Sequence, residues 1–512
     1  MSRKNPLRRI RNLLNRRFFI ALLILAQLTI IVLMLIRSLR LKWLGDLLTL
    51  FSIVTALHLL MRNDKSAFKL SLVFLILLFP VFGGAFYWIF HFQTTPVGYR
   101  RKLSRIEQES VRAFAVKNDA YEEACRALPP CRKQMHYLKE NTPFPVYKNT
   151  DTRYFSNGAS MLSQMLDDLK QAKRYIFLEY FIIEDGLMWG AILDVLRDRV
   201  EAGVDVRIIY DDLGCFMSLP SNYAQTLRSM GIKCELFNRF HPLLTSTQNN
   251  RDHRKICVVD GEIAYTGGVN LADEYIGERI KYGKWKDNAV RLCGDGAWSF
   301  TVIFLQTWSA LTLKTEDYES YRPINHGNLS SDGFVQPYSD SPMDKENVGE
   351  HIYLRIIEQA QEYLYITTPY LMADDGMMSA LKLCAKSGVD VRIITPEIPD
   401  KKAVHFTTRS YYRPLIRAGV KIYEYKNGFM HAKTFVSDDT VATVGTVNLD
   451  FRSLYLHFEC GTCLYRTSSV MDVKRDYLET LEGCREITEK DCKTNVFISF
   501  LQSICRIFAP LM

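Results

Sequence analysis

The feature that most constrains this chain is a repetition. Asn250–Asn270 reads NRDHRKICVVDGEIAYTGGVN, and Gly428–Asn448 reads GFMHAKTFVSDDTVATVGTVN. Each copy holds a His, a Lys two residues on and an Asp five residues after the Lys, followed by a turn, a Gly and an Asn. The surroundings repeat too. RYIFLEYFIIEDG (Arg174–Gly186) reads as a buried strand, Leu187–Ala202 as a helix and GVDVRIIYDD (Gly203–Asp212) as a second strand. The order returns in EYLYITTPYLMADDG (Glu362–Gly376), a helix over Met377–Ser387 and GVDVRIITPE (Gly388–Glu397). A further turn and strand follow in each half, GIKCELF from Gly231 and GVKIYEY from Gly419. Strands alternating with helices predict an α/β fold with mixed, mostly parallel sheets, built twice in pseudo-symmetric halves.

The chemistry of the repeat follows from its spacing. His253 and Lys255, like His431 and Lys433, are two residues apart, so in a strand they share a face. Asp260-Gly261 and Asp438-Asp439 suit tight turns, after which a second strand brings Asn270 or Asn448 back. An imidazole beside an ammonium and a carboxamide suits a phosphodiester: the imidazole attacks phosphorus or moves a proton, and the others hold non-bridging oxygens. One copy supplies half of a two-step displacement, and two facing copies supply the whole. A metal centre is not expected, because Lys is a poor ligand and no compact His/Asp/Glu set stands beside the motifs in sequence. Cys460-Gly-Thr-Cys463 is a lone CxxC without a second pair, and no nucleotide-binding glycine loop is present. No cofactor is therefore expected.

Charge distribution separates the N-terminal region from the rest. Of the 65 Lys and Arg, 17 fall within the first 105 residues against two acidic residues, Asp46 and Asp64. The remainder holds 48 basic and 54 acidic residues. A nucleic-acid binder would keep positive charge on its folded body, so no nucleic-acid partner is expected; basic residues beside apolar segments fit anionic lipid head groups instead. Phe18–Ile36 and Leu70–Phe90 carry no charged residue over 19 and 21 positions, long enough to cross a bilayer, whereas Trp43–Met61 is interrupted by Asp46 and His58. Two or three transmembrane helices are expected within residues 18–92, after a basic cytoplasmic segment, 1–17. Basic residues flank both ends of this region, which an even number of crossings satisfies, so a multi-pass membrane protein with a cytoplasmic body is expected; three crossings would put the body outside. Twelve scattered cysteines suit a reducing compartment. The expected plan continues with a linker over 93–150, the two halves over 151–330 and 331–494, and an apolar C-terminal helix over 495–512, either interfacial or a last core helix.

The paired H-x-K-x4-D motif resembles the signature of the phospholipase D superfamily. NNRDHRKICVVDGEIAYTGGVNLADEYIG, GKWKDNAV, TRSYY, GFMHAKTFVSDDTVATVGTVNLDFRSLYLHFECG and FKLSLVFLILLFPVFGGAFYWIF are similar to one branch, the bacterial cardiolipin synthases, over nearly the whole chain from Asp64. The resemblance implies two phospholipase D-like domains and a phosphatidyl transfer between two phosphatidylglycerols through a phosphohistidine, releasing glycerol. It implies His253 as nucleophile and His431 as general acid/base, an order that pseudo-symmetry allows to be swapped. Lys255, Lys433, Asn270 and Asn448 would bind phosphate oxygens. Asp260 and Asp438 complete the catalytic motif, bracing the turn behind it. Asp287 and Glu459 would orient the imidazoles, although Glu459 could instead pair with Arg452. Lys286 stands where relatives often carry Arg. The competing readings are a phospholipase D that uses water, another phosphatidyltransferase, a non-catalytic lipid-binding protein and, more distantly, a membrane-anchored nuclease.

Overall fold

A computed structural model of the chain describes residues 25, 29, 32, 33, 42–80, 83, 84, 87, 88, 97–116, 119–239, 249–324, 329, 331–344 and 346–512. The expected basic segment 1–17 and most of the apolar stretch Phe18–Ile36 lie outside these residues. The chain divides into two units, one formed by residues 1–96 with 238–250 and Leu511, the other by nearly all the rest.

In the first unit the helices Lys42–Met61 and Ser66–Leu78 pack around Ala56, Leu59, Ile76 and Tyr87. Gly84 N donates to Ser52 Oγ at 2.9 Å, and Trp88 Nε1 donates to Thr55 Oγ1 at 3.1 Å. A Cβ on Gly84 would lie 2.7 Å from Ser52 Cα, so only glycine permits this approach. The expectation of one helix through Leu70–Phe90 is not met. The helix stops at Leu78 and the chain turns at Phe79-Pro80, because proline lacks the N–H a helix needs and clashes with the preceding turn. Among the described residues no helix is long and apolar enough to cross a membrane.

The second unit holds both halves of the repeat. The first forms a seven-stranded sheet in the order β1-β7-β6-β5-β2-β3-β4: β1 Thr150–Phe155, β2 Tyr175–Tyr180, β3 Asp205–Asp211, β4 Lys233–Phe237, β5 Lys255–Val259, β6 Ile263–Gly267 and β7 Ala289–Gly294. The second forms an eight-stranded sheet in the order β15-β11-β10-β9-β12-β13-β14-β8. Its strands are β8 Phe334–Asp340, β9 Tyr363–Thr367, β10 Asp390–Pro396, β11 Lys421–Tyr425, β12 Thr434–Ser437, β13 Val441–Gly445, β14 Glu459–Tyr465 and β15 Cys484–Ile487. The orders superpose strand for strand, and β15 is an addition at one edge.

Mostly parallel sheets were expected; both are in fact mostly antiparallel. Only β2/β3, β3/β4, β9/β10 and β10/β11 pair in parallel. The motif hairpins β5/β6 and β12/β13, and the strands added beyond them, run antiparallel. A turn of two or three residues can only return a strand beside itself in the opposite sense. At those turns Asp260, Asp438 and Asp439 take φ of 54°, 52° and 52°, a left-handed conformation that Asp tolerates better than most residues.

The helix Ala297–Thr312 joins the halves. It is apolar nearly all round, which suits a helix surrounded by protein. Trp298, Phe300, Ile303, Phe304 and Leu305 are buried, and it packs against strands of both sheets. All twelve cysteines are free, and Cys460 and Cys463 are buried in β14.

Candidate active site

Each motif histidine lies just before the first strand of its hairpin, and there the two halves are stitched together. Phe458 N donates to Arg251 O at 2.8 Å and His253 N donates to Phe458 O at 2.9 Å. The second half mirrors this: Lys286 N donates to Phe429 O at 3.0 Å, and His431 N donates to Lys286 O at 2.8 Å. The residue after each bridging position is the carboxylate. His253 Nδ1 therefore lies 2.9 and 3.0 Å from the Glu459 oxygens, and His431 Nδ1 lies 2.6 Å from Asp287 Oδ2. Each half holds the other's imidazole. Both sequence-based candidates for orienting carboxylates are thus in place, and Glu459 is not paired with Arg452, which donates to the Met512 carbonyl.

The carboxylates differ in their support. Glu459 accepts from Ser453 Oγ at 2.7 Å and from Thr446 Oγ1. Asp287 accepts the N–H of Asn288 at 2.9 Å and packs on Gly268, where a Cβ would lie 2.0 Å from Asp287 Oδ1. Gly268 and Thr446 occupy the same position of the repeat: the glycine makes room for one carboxylate, and the threonine hydroxyl binds the other.

Lys255 Nζ donates to His253 O at 2.6 Å, and Lys433 Nζ donates to His431 O. Asp260 and Asp438 sit at the far end of their strands, and neither touches a histidine. Asp260 accepts the N–H groups of Lys173, Arg174 and Tyr175, each at 2.8 Å. Asp438 accepts those of Gln361, Glu362 and Tyr363 at 2.8, 3.0 and 2.9 Å. They fasten the entries of β2 and β9, a bracing function rather than contact with reacting atoms. Asn270 takes Ile182 N at 3.1 Å and donates to Tyr275 OH at 2.7 Å, while the buried Asn448 Oδ1 has no partner among the described residues.

Several neighbours escape sequence reasoning. The His431 ring lies 5.6 Å from Tyr275 and 5.5 Å from Trp285, and His253 lies 5.2 Å from Phe181. Tyr275 and Trp285 stand in LADEYIG and GKWKDNAV, but neither has a spacing that announces a site. His457 is also missed; its ring lies 5.6 Å from that of His253. The expectation that no compact His/Asp/Glu set accompanies the motifs is corrected here, because folding brings His253, His457 and Glu459 together. Lys286 Nζ donates to Ser156 O at 2.8 Å and to Asp476, tying the halves together beside the site. Tyr411 and Tyr412 are buried, Tyr411 beneath Arg506 and Tyr412 hydrogen-bonded to Thr395.

Burial dominates the electrostatics. It pushes His253 down to about 3 and His431 down to about 4, against the opposing pull of Glu459 and Asp287. It lowers Lys255 to about 7 and Lys433 to about 8; the two ammoniums also repel, while Glu459 and Asp287 support them. Burial acts to raise Glu459 and Asp287, but the facing histidines and their hydrogen bonds outweigh it and hold both carboxyls below their ordinary range. The free site is thus two neutral imidazoles on two carboxylates, beside lysines close to losing their charge. Two imidazoles and two lysines gathered in this way suit the oxygens of a phosphate group.

Comparison with known proteins agrees with that chemistry. Residues 165–279 and 353–481, each containing one motif, match the family described as cardiolipin synthase, PLD-like domain. The chain is 34% identical over 473 residues to the cardiolipin synthase of Alkalihalophilus pseudofirmus strain OF4, covering 91% of this chain and 93% of that protein. It is 47% identical over 377 residues to an uncharacterized protein of Streptococcus mutans, covering 73% of this chain and 82% of that one. Among solved structures, the phosphatidylserine synthase of Haemophilus influenzae Rd KW20 shares the fold, with a TM-score of 0.55 over 74% of this chain and 98% of that one at 16% identity. With its two matching segments and a similarity that spans nine-tenths of its length, the chain belongs to the cardiolipin synthase family, with paired phospholipase D-like domains.

Proposed function

We propose that the protein makes cardiolipin from two phosphatidylglycerols, with His253 as the covalent nucleophile. The observation that carries the proposal is the exchange of carboxylates between halves, which leaves Nε2 as the ring nitrogen of each histidine free to act. In the first step His253 Nε2 attacks phosphorus. A P–N bond forms, the P–O bond to glycerol breaks, and His431 gives its proton to the departing glycerol oxygen. In the second step the terminal hydroxyl of another phosphatidylglycerol gives its proton to His431 and attacks phosphorus. The P–N bond breaks and its electron pair returns to His253. Lys255, Lys433 and Asn448 hold the non-bridging oxygens, and Asn270 holds Tyr275 beside them.

His431 must carry a proton at the first step, although burial disfavours it in the free protein. The docked phosphodiester anion raises the pKa of both the imidazole and the lysines, so substrate binding itself charges the acid. The aromatic rings around the histidines exclude water that would otherwise intercept the phosphohistidine. Incubating the purified full chain with phosphatidylglycerol tests the reading. Cardiolipin with an equal amount of glycerol is expected; phosphatidic acid as the main product overturns it in favour of a hydrolase.

The two catalytic halves extend over 151–330 and 331–494, and the enzyme works at a cytoplasmic membrane face, anchored by the basic and apolar segments that precede the body. The early run of 17 basic against two acidic residues and the uncharged stretch Phe18–Ile36 support this. So does the helix Val496–Phe508, every residue of which keeps part of its surface exposed, with Val496, Phe497 and Phe500 at 88, 68 and 60%. Such a face suits a bilayer interface and not the last core helix that was the alternative. A membrane-impermeant thiol reagent on intact cells should spare the partly exposed Cys125, Cys293, Cys484, Cys492 and Cys505; prompt labelling would place the body outside.

A further inference from the structure

His457 is the unexplained group of this site. Its side chain is 11% exposed, and neither ring nitrogen has a hydrogen-bond partner among the described residues. Its closest charged neighbour is Glu459 Oε1, 3.8 Å from Nδ1. An imidazole of intermediate exposure whose two ring nitrogens are both buried and unsatisfied is costly unless something else satisfies it. Ligand atoms of His253, His457 and Glu459 all lie within 4.8 Å of one another. The carboxylate among them is oriented by Ser453 and Thr446, the outer support that metal-ligating carboxylates characteristically receive.

We propose that His253, His457 and Glu459 form a binding site for a borderline divalent cation of the Zn²⁺ class, and that occupancy of the site arrests the enzyme. Two imidazoles and one carboxylate are a common zinc donor set, with a solvent or phosphate oxygen as fourth ligand. The arrest follows from the geometry and rests on the reading of His253 as nucleophile. If the metal takes Nε2, the attacking lone pair is lost. If it takes Nδ1, the proton there leaves for solvent, the hydrogen bond to Glu459 is replaced, and the ring has no way to shed the charge it gains on phosphorylation. The other half lacks this device: His431 is surrounded by Tyr275, Trp285 and Phe429 instead of a second imidazole. The mechanism makes no use of His457, so the site is an addition to the catalytic machinery.

Purified full-length protein is titrated with Zn²⁺ alone by calorimetry, and with Co²⁺ while its visible absorption is recorded; cardiolipin formation is then measured across the same Zn²⁺ range. Wild type is expected to bind one ion, give the intense visible bands of a four-coordinate Co²⁺ centre, and lose activity over the range in which it binds. His457→Asn is expected to abolish the Co²⁺ bands, keep metal-free synthesis, and shift inhibition to higher Zn²⁺ by at least about ten-fold; Ser453→Ala is expected to weaken binding by about ten-fold. Absence of Co²⁺ bands in the wild type overturns the site without any variant having to fold. His457-dependent binding with undiminished synthesis overturns the arrest and, with it, the nucleophile assignment. No binding together with an inactive His253→Ala leaves the catalytic reading standing and refutes the metal site alone.

Discussion

Replacing Glu459 by Gln keeps its shape and removes its charge, which isolates what the carboxylate does for His253. The oxygens lie 2.9 and 3.0 Å from Nδ1 in a fully buried position. In the free enzyme the imidazole is neutral, so the charge contributes little there. In the phosphohistidine the ring carries both a phosphoryl group and a proton and becomes cationic. At 2.9 Å and an effective dielectric constant of about 20, the attraction between unit charges is about 6 kcal/mol. Gln retains part of this through its carbonyl dipole, so a loss of about 4 kcal/mol is expected, or about a thousand-fold in kcat at 1.36 kcal/mol per decade. If its NH2 turns to Nδ1 instead, the tautomer flips and the proton sits on Nε2, the nitrogen that must attack. Ser453 and Thr446 can rotate their hydroxyls to either amide atom, so the fold should survive with a small change in Tm. The assay is cardiolipin and glycerol release from phosphatidylglycerol in mixed micelles, followed by mass spectrometry. A variant with wild-type Tm and kcat within ten-fold of wild type would refute the reasoning, reducing Glu459 to an ordinary buried acceptor.

Gly268→Ala puts a methyl group where a Cβ meets Asp287 Oδ1 at 2.0 Å; it should cost about 1–3 kcal/mol of stability and displace the carboxylate from His431, lowering kcat although alanine touches no substrate. Full kcat with an unchanged melting temperature would contradict that packing. Lys255 and Lys433 titrate near 7 and 8 in the free protein, both depressed from their ordinary value, so their ammonium form is lost on the alkaline side. Accordingly kcat/KM should fall as pH rises through this range, with kcat falling only at higher pH because bound phosphate keeps the lysines charged; a flat kcat/KM to pH 10 would count against phosphate binding by these lysines. Asp438→Asn weakens the hold on three backbone N–H groups and should lower stability by about 1–3 kcal/mol, read by denaturant titration, while kcat stays within ten-fold. A thousand-fold drop in kcat at unchanged stability would return Asp438 to the chemistry.

Much of the site is legible in the chain because its information is local. His253 and Lys255 stand two residues apart at the entry of β5, not side by side on a strand face as periodicity suggests, and Asp260-Gly261 fixes a hairpin that returns Asn270, so one written copy already gathers half a site. The duplication then implies two such halves in one molecule, and the two sheets follow the same strand order apart from the added β15. The break at Pro80 is also written in the sequence, although apolar length alone masks it. Strand direction was misjudged because it depends on which edges the hairpins add to, and composition carries no record of that.

What only the tertiary structure decided is who holds whom. Asp287 lies 34 residues after His253, yet it serves His431, 144 residues away; Glu459 serves His253 across 206. A carboxylate reaches an imidazole only through a few ångströms of buried space, and two bridges between the halves, at Asp252–Phe458 and Lys286–Met430, set that space. The arrival of His457 beside Glu459 has the same origin. Periodicity determines the face on which a side chain stands, but only packing between distant segments determines what it meets there.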